Sequence, residues 1–304
     1  MDYKTIIKSQ RIRFIILRFL SWLPDSIMLR LQYKLKLGRW PNLKRPERFT
    51  EWLQWYKINY RNPVICECVD KYAVRKFIEE KGLSDILNEL LGVYNDANEI
   101  EFDNLPNQFV IKTTNGGGGE NIIICKDKSS LDINSTIQKL NKWLTLKSID
   151  AGREWAYTGI SKPKIIIERF LENPQSPEAG IEDYKILCFH GVPKIIIVDC
   201  DRYIGHKRNF YDTSWKQLFV TSDCPSKNEN ICPPANLHEM LDYARILSSD
   251  FPFVRVDLYN INGKIIFGEL TYYPWSGYVS FNPDTFDYEL GTFFNSANLQ
   301  CQNC

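Results

Sequence analysis

The spacing of apolar residues is helical along the first part of the chain. Apolar residues recur at intervals of three and four through residues 3–37, with lysines and arginines between them. A second helix is predicted in KRPERFTEWLQWYKINYRNP, where Thr50 is a plausible N-cap. A third helix, in CVDKYAVRKFIEEKG, is predicted to end at Gly82, because glycine favours the C-terminal boundary of a helix.

From Gln108 onwards the apolar residues form short β-branched runs, separated by Gly, Pro and Asn turns. Helical spacing returns near Ser135–Trp143 and Asn236–Ser248. Strands that follow strands, with few helices between them, predict an α+β fold rather than a doubly wound sheet. The predicted strands lie in QFVIKTT, ENIIIC, KPKIIIERFL, DYKILCFHG, PKIIIVDCDR and FVRVDLYNINGKIIFGELTYY.

The last of these stretches predicts a hairpin that turns at Asn262-Gly263. With a two-residue loop, Asp257 would face Gly268, and Glu269 would point to the other face of the sheet. With a three-residue loop, Arg255 would pair with Glu269, and period-two alternation would place four polar side chains on one face. Those four are Arg255, Asp257, Glu269 and Thr271.

Two carboxylates that converge with an arginine form a hard-oxygen site, suited to Mg²⁺ held partly by nucleotide phosphates. The alternative is that Arg255 and Glu269 form a cross-strand ion pair on a solvated face. The hairpin alone favours neither interpretation.

A run of four glycines, Gly116, Gly117, Gly118 and Gly119, joins two predicted strands in FVIKTTNGGGGENIIIC. A Walker A loop or a dinucleotide loop would lead into a helix, and ENIIICKDKSS is not helical. Glycines let backbone N–H groups converge on an anion, and Lys112 would place an ammonium beside it. The stretch therefore favours a phosphate-binding loop, and a flexible hairpin tip is the alternative.

The charge of the chain is distributed unevenly, although its net value is only +1. Residues 1–48 hold twelve Lys or Arg and three Asp or Glu, a net +9, so the remainder carries −8. A basic amphipathic segment can lie in the headgroup layer of an anionic membrane, and residues 1–37 are predicted to do so. The alternative is a helix packed on the core with a solvated basic face. No nucleic-acid partner is expected.

The best candidate for a membrane span, FIILRFLSWLPD, is interrupted by Arg18, Pro24 and Asp25, so no transmembrane helix is predicted. It also lacks a small-residue cleavage site, so no signal peptide is predicted. The nine cysteines lack the paired spacing of a zinc site. They are interpreted as reduced thiols of a cytoplasmic protein.

The segment DRYIGHKRNFYDTSW combines cationic and aromatic residues. Basic groups could bind a carboxylate, and rings could stack on a sugar, so the segment is a candidate site for an anionic sugar. An ordinary exposed basic loop is the alternative. The candidate substrate-binding residues are Arg202, His206, Lys207 and Arg208.

The order of these features along nearly the whole chain resembles the ATP-grasp superfamily, and within it the TupA-like branch associated with teichuronopeptide and other bacterial surface-polysaccharide synthesis. The stretches that carry the resemblance are LKLGRWPNLKRPERFTEWLQWYK, DKYAVRKFI, FVIKTTNGGGG, REWAYTGISKPKIIIERFL, EDYKILCFHG, FVRVDLY and FGELTYYPWSG. The resemblance implies two α+β lobes that clasp ATP. The expected organisation is a helical basic extension over residues 1–60, a part with the glycine lid over 61–167, and a C-terminal lobe over 168–304.

The resemblance also implies which residues bind ATP. Lys71 and Lys112 would contact the phosphates, the four glycines would close over them, and Asp183 or Lys185 would reach the ribose or phosphates. The stretch Glu168, Arg169, Phe170 and Leu171 resembles the hinge that meets the adenine.

Asp257 and Glu269 resemble the magnesium ligands of that superfamily. Thr271 stands where many members have an asparagine, so its role as a third ligand is an open question. Arg255 resembles the arginine that steadies the transferring phosphoryl group, and with Lys112 it is the predicted catalytic residue.

The implied reaction is ATP-dependent carboxylate–amine ligation, in which ATP phosphorylates a carboxylate and an amine attacks the acyl phosphate. The expected substrates are a uronic acid of a bacterial surface polysaccharide or its precursor, and an amino acid or small amine. The expected location is the cytoplasm, peripheral to the inner membrane face. The alternatives are a sugar kinase on the same fold, a non-catalytic glycan- or membrane-binding module and a glycosyltransferase. The DCD of residues 199–201 has the spacing of a glycosyltransferase metal motif but is interpreted as the end of a strand.

Overall fold

The structure is a computed structural model that describes residues 20, 22–116, 121–145, 152–160 and 162–294. Helices and strands alternate irregularly along these ranges, as expected of an α+β chain. The helices that the described ranges contain are α1 (Asp25–Leu37), α2 (Phe49–Asn59), α3 (Val64–Val69), α4 (Val74–Glu80), α5 (Ile133–Thr145), α6 (Trp155–Thr158), α7 (Leu237–Ser248) and α8 (Thr285–Phe294).

The strands form two antiparallel sheets. The smaller has the order β1-β4-β2-β3 and the larger the order β10-β9-β5-β6-β7-β8. The strands are β1 (Leu90–Tyr94), β2 (Phe109–Thr113), β3 (Ile122–Cys125), β4 (Ile165–Arg169), β5 (Asp183–Phe189), β6 (Val192–Cys200), β7 (Lys207–Asp212), β8 (Gln217–Leu218), β9 (Phe253–Ile261) and β10 (Lys264–Thr271).

The smaller sheet has one apolar face that is covered and one face that carries charge. Phe109 and Ile111 of β2 are fully buried and share a cluster with Leu140 of α5. Because side chains alternate along a strand, Val110 and Lys112 point to the opposite face. That second face is the one that can take part in a cleft.

One face of the larger sheet is apolar and packs against α7. The other face is divided into an aromatic end and a charged end. On the divided face, Phe189 and Phe253 lie at one end, where Phe49 of α2 and Phe294 of α8 cover them with ring centroids 5.0–6.0 Å apart. Farther along the same strands the residues become charged. The helices α2 and α8 therefore seal one end of this face and leave the charged end for the smaller sheet.

The α+β fold and the strands predicted from β-branched runs are confirmed. The helix predicted in CVDKYAVRKFIEEKG is observed as α4, but it begins later than predicted, because Cys68 and Val69 end α3. The carboxylate of Asp70 accepts hydrogen bonds from the backbone N–H groups of Tyr72 and Ala73 at 2.8 Å, which orders the turn between α3 and α4. Gly82 follows α4 with a φ of +75°.

Thr50 is not an N-cap, because α2 begins one residue earlier and its N-cap position is Arg48. The Glu51 side chain binds the chain entering the helix, and accepts hydrogen bonds from the backbone N–H groups of Asn42 and Glu47 at 2.8 and 3.0 Å. Thr50 instead lies inside the helix and binds Asp287 of α8. The capping prediction missed this because the partner is more than two hundred residues away.

The helix predicted through residues 3–37 is observed only over α1, since residues 1–19 and 21 lie outside the described residues. Within the described ranges, no helix is both long and apolar enough to cross a membrane.

The hairpin of β9 and β10 has a register that neither predicted loop explains. Its turn is the two-residue one, with Asn262 and Gly263 at φ values of +52° and +82°. A β-bulge at Gly268 then adds one residue to β10, so that Glu269 pairs with Asp257 and Thr271 with Arg255. Because of the bulge, Glu269 lies on the same face as Asp257. In a regular hairpin with a two-residue turn it would lie on the opposite face.

Candidate functional site

The charged end of the larger sheet is made by alternate residues of neighbouring strands. Asp183 and Lys185 of β5 lie opposite Tyr259 and Asp257 of β9, and Asp183 also lies opposite Asp199 of β6. Paired residues of antiparallel strands share a face. Three strands, β5, β6 and β9, therefore contribute carboxylates and a cation to one continuous surface.

Arg255 is the centre of this surface. Its Nε and Nη2 donate to the two oxygens of Asp257, each at 2.6 Å, which is a bidentate pair. The same Nη2 lies 3.1 Å from Glu269 Oε1 and 3.0 Å from Thr271 Oγ1. The predicted grouping of Arg255, Asp257, Glu269 and Thr271 on one face is therefore what the structure contains.

Lys185 links this group to the next carboxylates along the sheet. Its ammonium binds Asp183, lies 3.1 Å from Asp257 Oδ2 and lies 3.8 Å from Asp199 Oδ2. The Lys185 side chain is only 8% exposed, so three carboxylates surround a buried cation. Lys185 thus offsets the repulsion among them, and Asp183 is additionally bound by Arg202 at 2.8 Å.

The two carboxylates of the hairpin have opposite pKa shifts. Burial raises the pKa of Asp257 to about 6, against the opposing effects of Arg255 and Lys185. Burial also opposes ionisation of Glu269, but Arg255 and Lys71 outweigh it and lower the pKa of Glu269 to about 2. Glu269 has a side chain 48% exposed and stays ionised, so it is the carboxylate most available to a cation from solvent.

The smaller sheet faces this surface with a second ion pair. Lys112 of β2 lies 2.6 Å from Glu168 Oε2 of β4, and Arg75 of α4 lies 3.6 Å from Glu168 Oε1. Glu168 is buried, and the backbone of β4 places it on the charged face beside Val110. A basic pair thus surrounds one carboxylate at this edge.

Lys71 connects the two sheets electrostatically. Burial lowers its pKa, Lys112 lowers it further, and Glu269 and Glu168 oppose both effects. The ammonium of Lys71 also donates to the carbonyl oxygen of Gly116, the first glycine of the loop. Lys71, just before α4, therefore lies close to residues of the smaller sheet, of the glycine loop and of β10, although these residues are far apart in sequence.

The remaining predicted ATP-binding residues are placed as follows. Gly117, Gly118 and Gly119 lie outside the described residues. Arg169 ends β4 with its side chain exposed, and its Nε lies 2.5 Å from Glu89, so it is not part of the charged surface. Phe170 and Leu171 follow β4 and are half-buried.

The predicted sugar-binding segment is paired with carboxylates rather than free. Arg208 Nε and Nη2 lie 2.6 and 3.0 Å from the two oxygens of Asp199, and Arg208 Nη1 lies 2.5 Å from Asp223. His206 Nε2 lies 3.2 Å from Asp199. Lys207 alternates with Arg208 and so points to the other face. The alternative of an exposed basic loop does not describe Arg208, since its side chain is 8% exposed and its charge is balanced, and its role as a sugar-binding residue stays a prediction.

Trp275 extends this paired group towards the solvent. Its Nε1 donates to Asp223 Oδ1 at 3.0 Å, and its ring lies 5.3 Å from the guanidinium carbon of Arg208. Trp275, Ser276 and Gly277 have consecutive φ values of +51°, +55° and +70°. A left-handed turn costs about 1–2 kcal/mol for each residue other than glycine, so its surroundings must hold it.

Two residues of α2 hold that turn, and sequence analysis missed both. Lys57 is fully buried and donates to the carbonyl oxygens of Gly152 and Ser276 at 2.7 and 2.9 Å. Gln54 donates to the carbonyl oxygens of Ser276 and Gly277 at 3.2 and 3.0 Å. From the sequence, Lys57 could have been recognised only by its position on the apolar side of the aromatic helix in EWLQWYKIN.

The residues that could hold a metal are oxygen donors of the hairpin. Within the described ranges, no group of three or more His, Cys, Asp or Glu side chains is positioned as a metal site by itself. Asp257 and Glu269 supply two carboxylates, and Thr271 Oγ1 already donates to Glu269 Oε1 at 2.7 Å. Such a pair fits Mg²⁺ only when substrate phosphates and water complete its oxygen shell, which is how Mg²⁺ is commonly bound.

The sequence profile of the TupA-like ATP-grasp family matches residues 51–295 of this chain. The chain belongs to that family. The match includes both sheets and every candidate residue described above. The ATP-grasp fold predicted from the sequence motifs is thereby confirmed, and no curated protein matches the sequence significantly.

Several solved structures have similar folds. D-alanine–D-alanine ligase from Bacillus anthracis is 17% identical, with a TM-score of 0.46, over 77% of this TupA-like chain and 68% of the ligase. L-amino acid ligase from Bacillus licheniformis is 13% identical, with a TM-score of 0.41, over 90% of this chain and 57% of the ligase. D-alanine–D-alanine ligase from Helicobacter pylori is 17% identical, with a TM-score of 0.41, over 75% and 61%. This chain therefore spans about three fifths to two thirds of the length of these ligases.

Proposed function

We propose that this protein is an ATP-dependent carboxylate–amine ligase. Its substrates would be a uronic-acid carboxylate of a bacterial surface polysaccharide, or of its precursor, and an amino acid or small amine. The observation that carries the proposal is the meeting of Lys71 and Lys112 with Arg255, Asp257 and Glu269 between the two sheets. Membership of the ATP-grasp family supports the use of ATP.

The cations of the cleft fit the phosphates of ATP. Lys71 is half-buried and has a lowered pKa, which means that its surroundings do not fully compensate its charge. A phosphate beside it would supply the missing negative charge, and Lys112 lies in the same neighbourhood. Gly116 to Gly119 would close over the phosphates, with backbone N–H groups as donors.

The other nucleotide contacts follow from the same placement. Glu168 and the backbone of Arg169, Phe170 and Leu171 would meet the adenine at the edge of the smaller sheet. Asp183 and Lys185 would reach the ribose or the phosphates. Their mutual ion pair makes Lys185 a fixed charge rather than a mobile one, which suits positioning.

Asp257 and Glu269 would hold Mg²⁺ together with ATP phosphates, and Thr271 would have a lesser role. When bound, Mg²⁺ would supply positive charge to the phosphates. Glu269 is the better placed of the two carboxylates, since it is half-exposed and ionised. Asp257 is bound on both oxygens by Arg255 and orients that guanidinium.

Arg255 and Lys112 would stabilise the transferring phosphoryl group as it passes from ATP to the substrate carboxylate. Phosphoryl transfer needs positioning and opposite charge more than proton transfer, and these residues supply both. The amine would then attack the acyl phosphate, forming the amide and releasing phosphate. Closure of the glycine loop would exclude water that would otherwise hydrolyse the acyl phosphate.

The acceptor would lie against the paired group of Arg208, Asp223 and Trp275. Arg208 is already neutralised and Lys207 points to the other face, so the contacts with a uronic acid would come from Arg202 and His206, whose side chains are 44% and 36% exposed although each is paired with a carboxylate, with stacking on Trp275. We further propose that the protein acts at the cytoplasmic face of the membrane, with residues 1–37 as its contact. We also propose that the chain is divided at residues 60 and 167 into a helical basic extension, a part with the glycine lid and a C-terminal lobe.

The test is a screen of uronic acids against amines and amino acids, with ADP release as the readout and mass spectrometry of the products. An amide formed together with ADP and phosphate supports ligation. A stable phosphorylated sugar would instead identify a sugar kinase. Calorimetry that detects no binding of Mg-ATP, or Asp257→Asn and Glu269→Gln variants with unchanged turnover, would favour a non-catalytic module.

A further inference from the structure

The first described helix, α1, has an apolar stripe that nothing described covers. Ile27, Leu31 and Leu35 are spaced four residues apart and are 46%, 37% and 62% exposed. The opposite side of α1 is packed against the body of the protein through Met28 and Leu29 among others. Residues four apart lie on one face of a helix, so the three exposed side chains form a continuous stripe.

Two exposed tryptophans lie at the ends of this helix. Trp22 precedes α1 and is 74% exposed, and Trp40 follows it and is 60% exposed. Large apolar side chains exposed as a group indicate an interaction surface rather than a chance distribution. Tryptophan is also the residue that most favours the boundary between water and lipid. We call Trp22, Ile27, Leu31, Leu35 and Trp40 the α1 patch.

The border of the α1 patch is cationic. Lys34 is exposed and lies seven residues after Ile27, on nearly the same side of the helix, with Arg30 one turn before it. The acidic residue of α1, Asp25, is bound to Arg153 at 3.0 Å and to Arg61 at 3.5 Å. Residues 1–19, which precede the patch, contain five basic residues and one acidic residue.

Two other basic residues of this region point into the protein instead. The Lys36 ammonium lies 3.8 Å from the centre of the Tyr278 ring, and Arg39 binds Asp284 and Asp287. The structure thus separates cations that bind the body of the protein from Arg30 and Lys34, which border the patch. The exposed ammonium of Lys34 donates to the carbonyl oxygen of Gly38 at 2.8 Å and is bound to no carboxylate of the described ranges, so its charge is available to an external anion.

We propose that the α1 patch docks on an anionic lipid bilayer, with its apolar side chains among the acyl chains and Arg30 and Lys34 at the phosphates. An amphipathic helix with this arrangement lies in the plane of the membrane interface. A second copy of the chain is a poorer occupant. A two-fold contact between patches would bring Arg30 and Lys34 of both copies together, and like charges repel.

This inference deepens the membrane association proposed above and is independent of the chemistry at the ATP site. It would place the protein on the surface where lipid-linked glycans are assembled, with the cleft in the body of the protein. Failure at the patch would show in vesicle binding, whereas failure of the ligase proposal would show in ADP release without vesicles.

The experiment measures sedimentation of the full-length protein with two kinds of vesicle. One kind is phosphatidylcholine alone, and the other contains about a third phosphatidylglycerol, enough to give a negative surface potential. The test variant carries Leu31→Asn and Leu35→Asn. The matched control carries Ile246→Asn, because Ile246 lies on α7 and is 38% exposed, close to the value for Leu31.

Wild type and Ile246→Asn should bind the anionic vesicles, and the double variant should bind at least about tenfold more weakly, since two apolar anchors are lost. Circular dichroism and ADP release in solution should be equal for all three proteins. Equal vesicle binding by the double variant would overturn the proposal. So would equal binding of wild type to both kinds of vesicle, absence of binding, or dimerisation in solution that the double substitution abolishes.

Discussion

The buried carboxylate of Asp287 joins α8 to the start of α2, and its removal should destabilise the protein severely. Asp287 Oδ1 accepts from the backbone N–H of Thr50 at 3.0 Å, and Oδ2 accepts from its hydroxyl at 2.8 Å. Oδ2 also lies 3.0 Å from Arg39 and 3.3 Å from Arg48. The Asp287 side chain is 1% exposed. Asp284 binds the same two arginines, but its side chain is 53% exposed.

The two substitutions should therefore differ in size. Removing one partner from a buried ion pair costs about 3–5 kcal/mol. Burial raises the pKa of Asp287, which offsets part of its contribution, so the lower end of that range is expected for Asp287→Ala. Asp284→Ala should cost at most about 1 kcal/mol, since exposed pairs are screened by water and salt.

The assay is thermal unfolding of wild type, Asp287→Ala and Asp284→Ala, followed by tryptophan fluorescence. One kcal/mol lowers the midpoint of a domain of this size by roughly 2–4 °C, so a loss of about 6 °C or more is expected for Asp287→Ala. The Asp284→Ala loss should also shrink as salt is added. Equal decreases in the midpoint for the two variants, or an unchanged midpoint for Asp287→Ala, would refute the conclusion that burial makes the Asp287 interactions the more stabilising ones.

Three further predictions concern the site. Lys57→Met should lower the thermal midpoint and ATP turnover, because Gly152 and Ser276 lose a buried donor, whereas exposed Lys44→Met should change neither. Inserting one alanine between Gly268 and Glu269 should abolish Mg-ATP binding in calorimetry by turning Glu269 to the other face. Deleting Gly268 removes the bulge, leaves Glu269 opposite Asp257 and should retain binding, whereas retained binding by the insertion variant would contradict the role of the register. Burial opposes ionisation of Asp199, but Arg208 outweighs it and lowers the pKa of Asp199 to about 2. Its stabilisation is therefore present above about pH 4 and lost towards pH 2, and melting curves should show Asp199→Asn costing less at pH 3 than at pH 7.

The sequence predicted the fold and the main grouping of the site for a physical reason. Strands can be predicted from the local alternation of apolar and polar residues. Arg255 and Thr271 belong to one hairpin, so whether they share a face depends only on the local geometry of the chain. The glycine-loop stretch indicated Lys112, and the family motifs added Lys71 and Glu168, but local patterns cannot bring these three residues together. Their position beside the hairpin is a property of how the two sheets are placed.

What the sequence could not predict depends on partners that are distant or on small irregularities. Arg208 was a candidate sugar-binding residue because nothing in its own segment shows that Asp199 and Asp223 would neutralise it. Thr50 was expected to cap a helix because Asp287 is more than two hundred residues away. The bulge at Gly268 changes a register by one residue, and neither loop length considered for the hairpin includes it.

The bulge at Gly268 also determines which changes in chain length this family member can accept. Inserting one residue on each side of the turn at Asn262-Gly263 would add one rung to the hairpin and leave Asp257 opposite Glu269. Inserting a single residue in β10 between the turn and Glu269 would exchange the two faces, whereas removing one residue there would be absorbed by loss of the bulge. Insertions in this hairpin are therefore expected to be symmetrical about the turn. The number of residues between Asp257 and Glu269 is thus constrained, because it decides whether the two carboxylates lie on the same face of the hairpin.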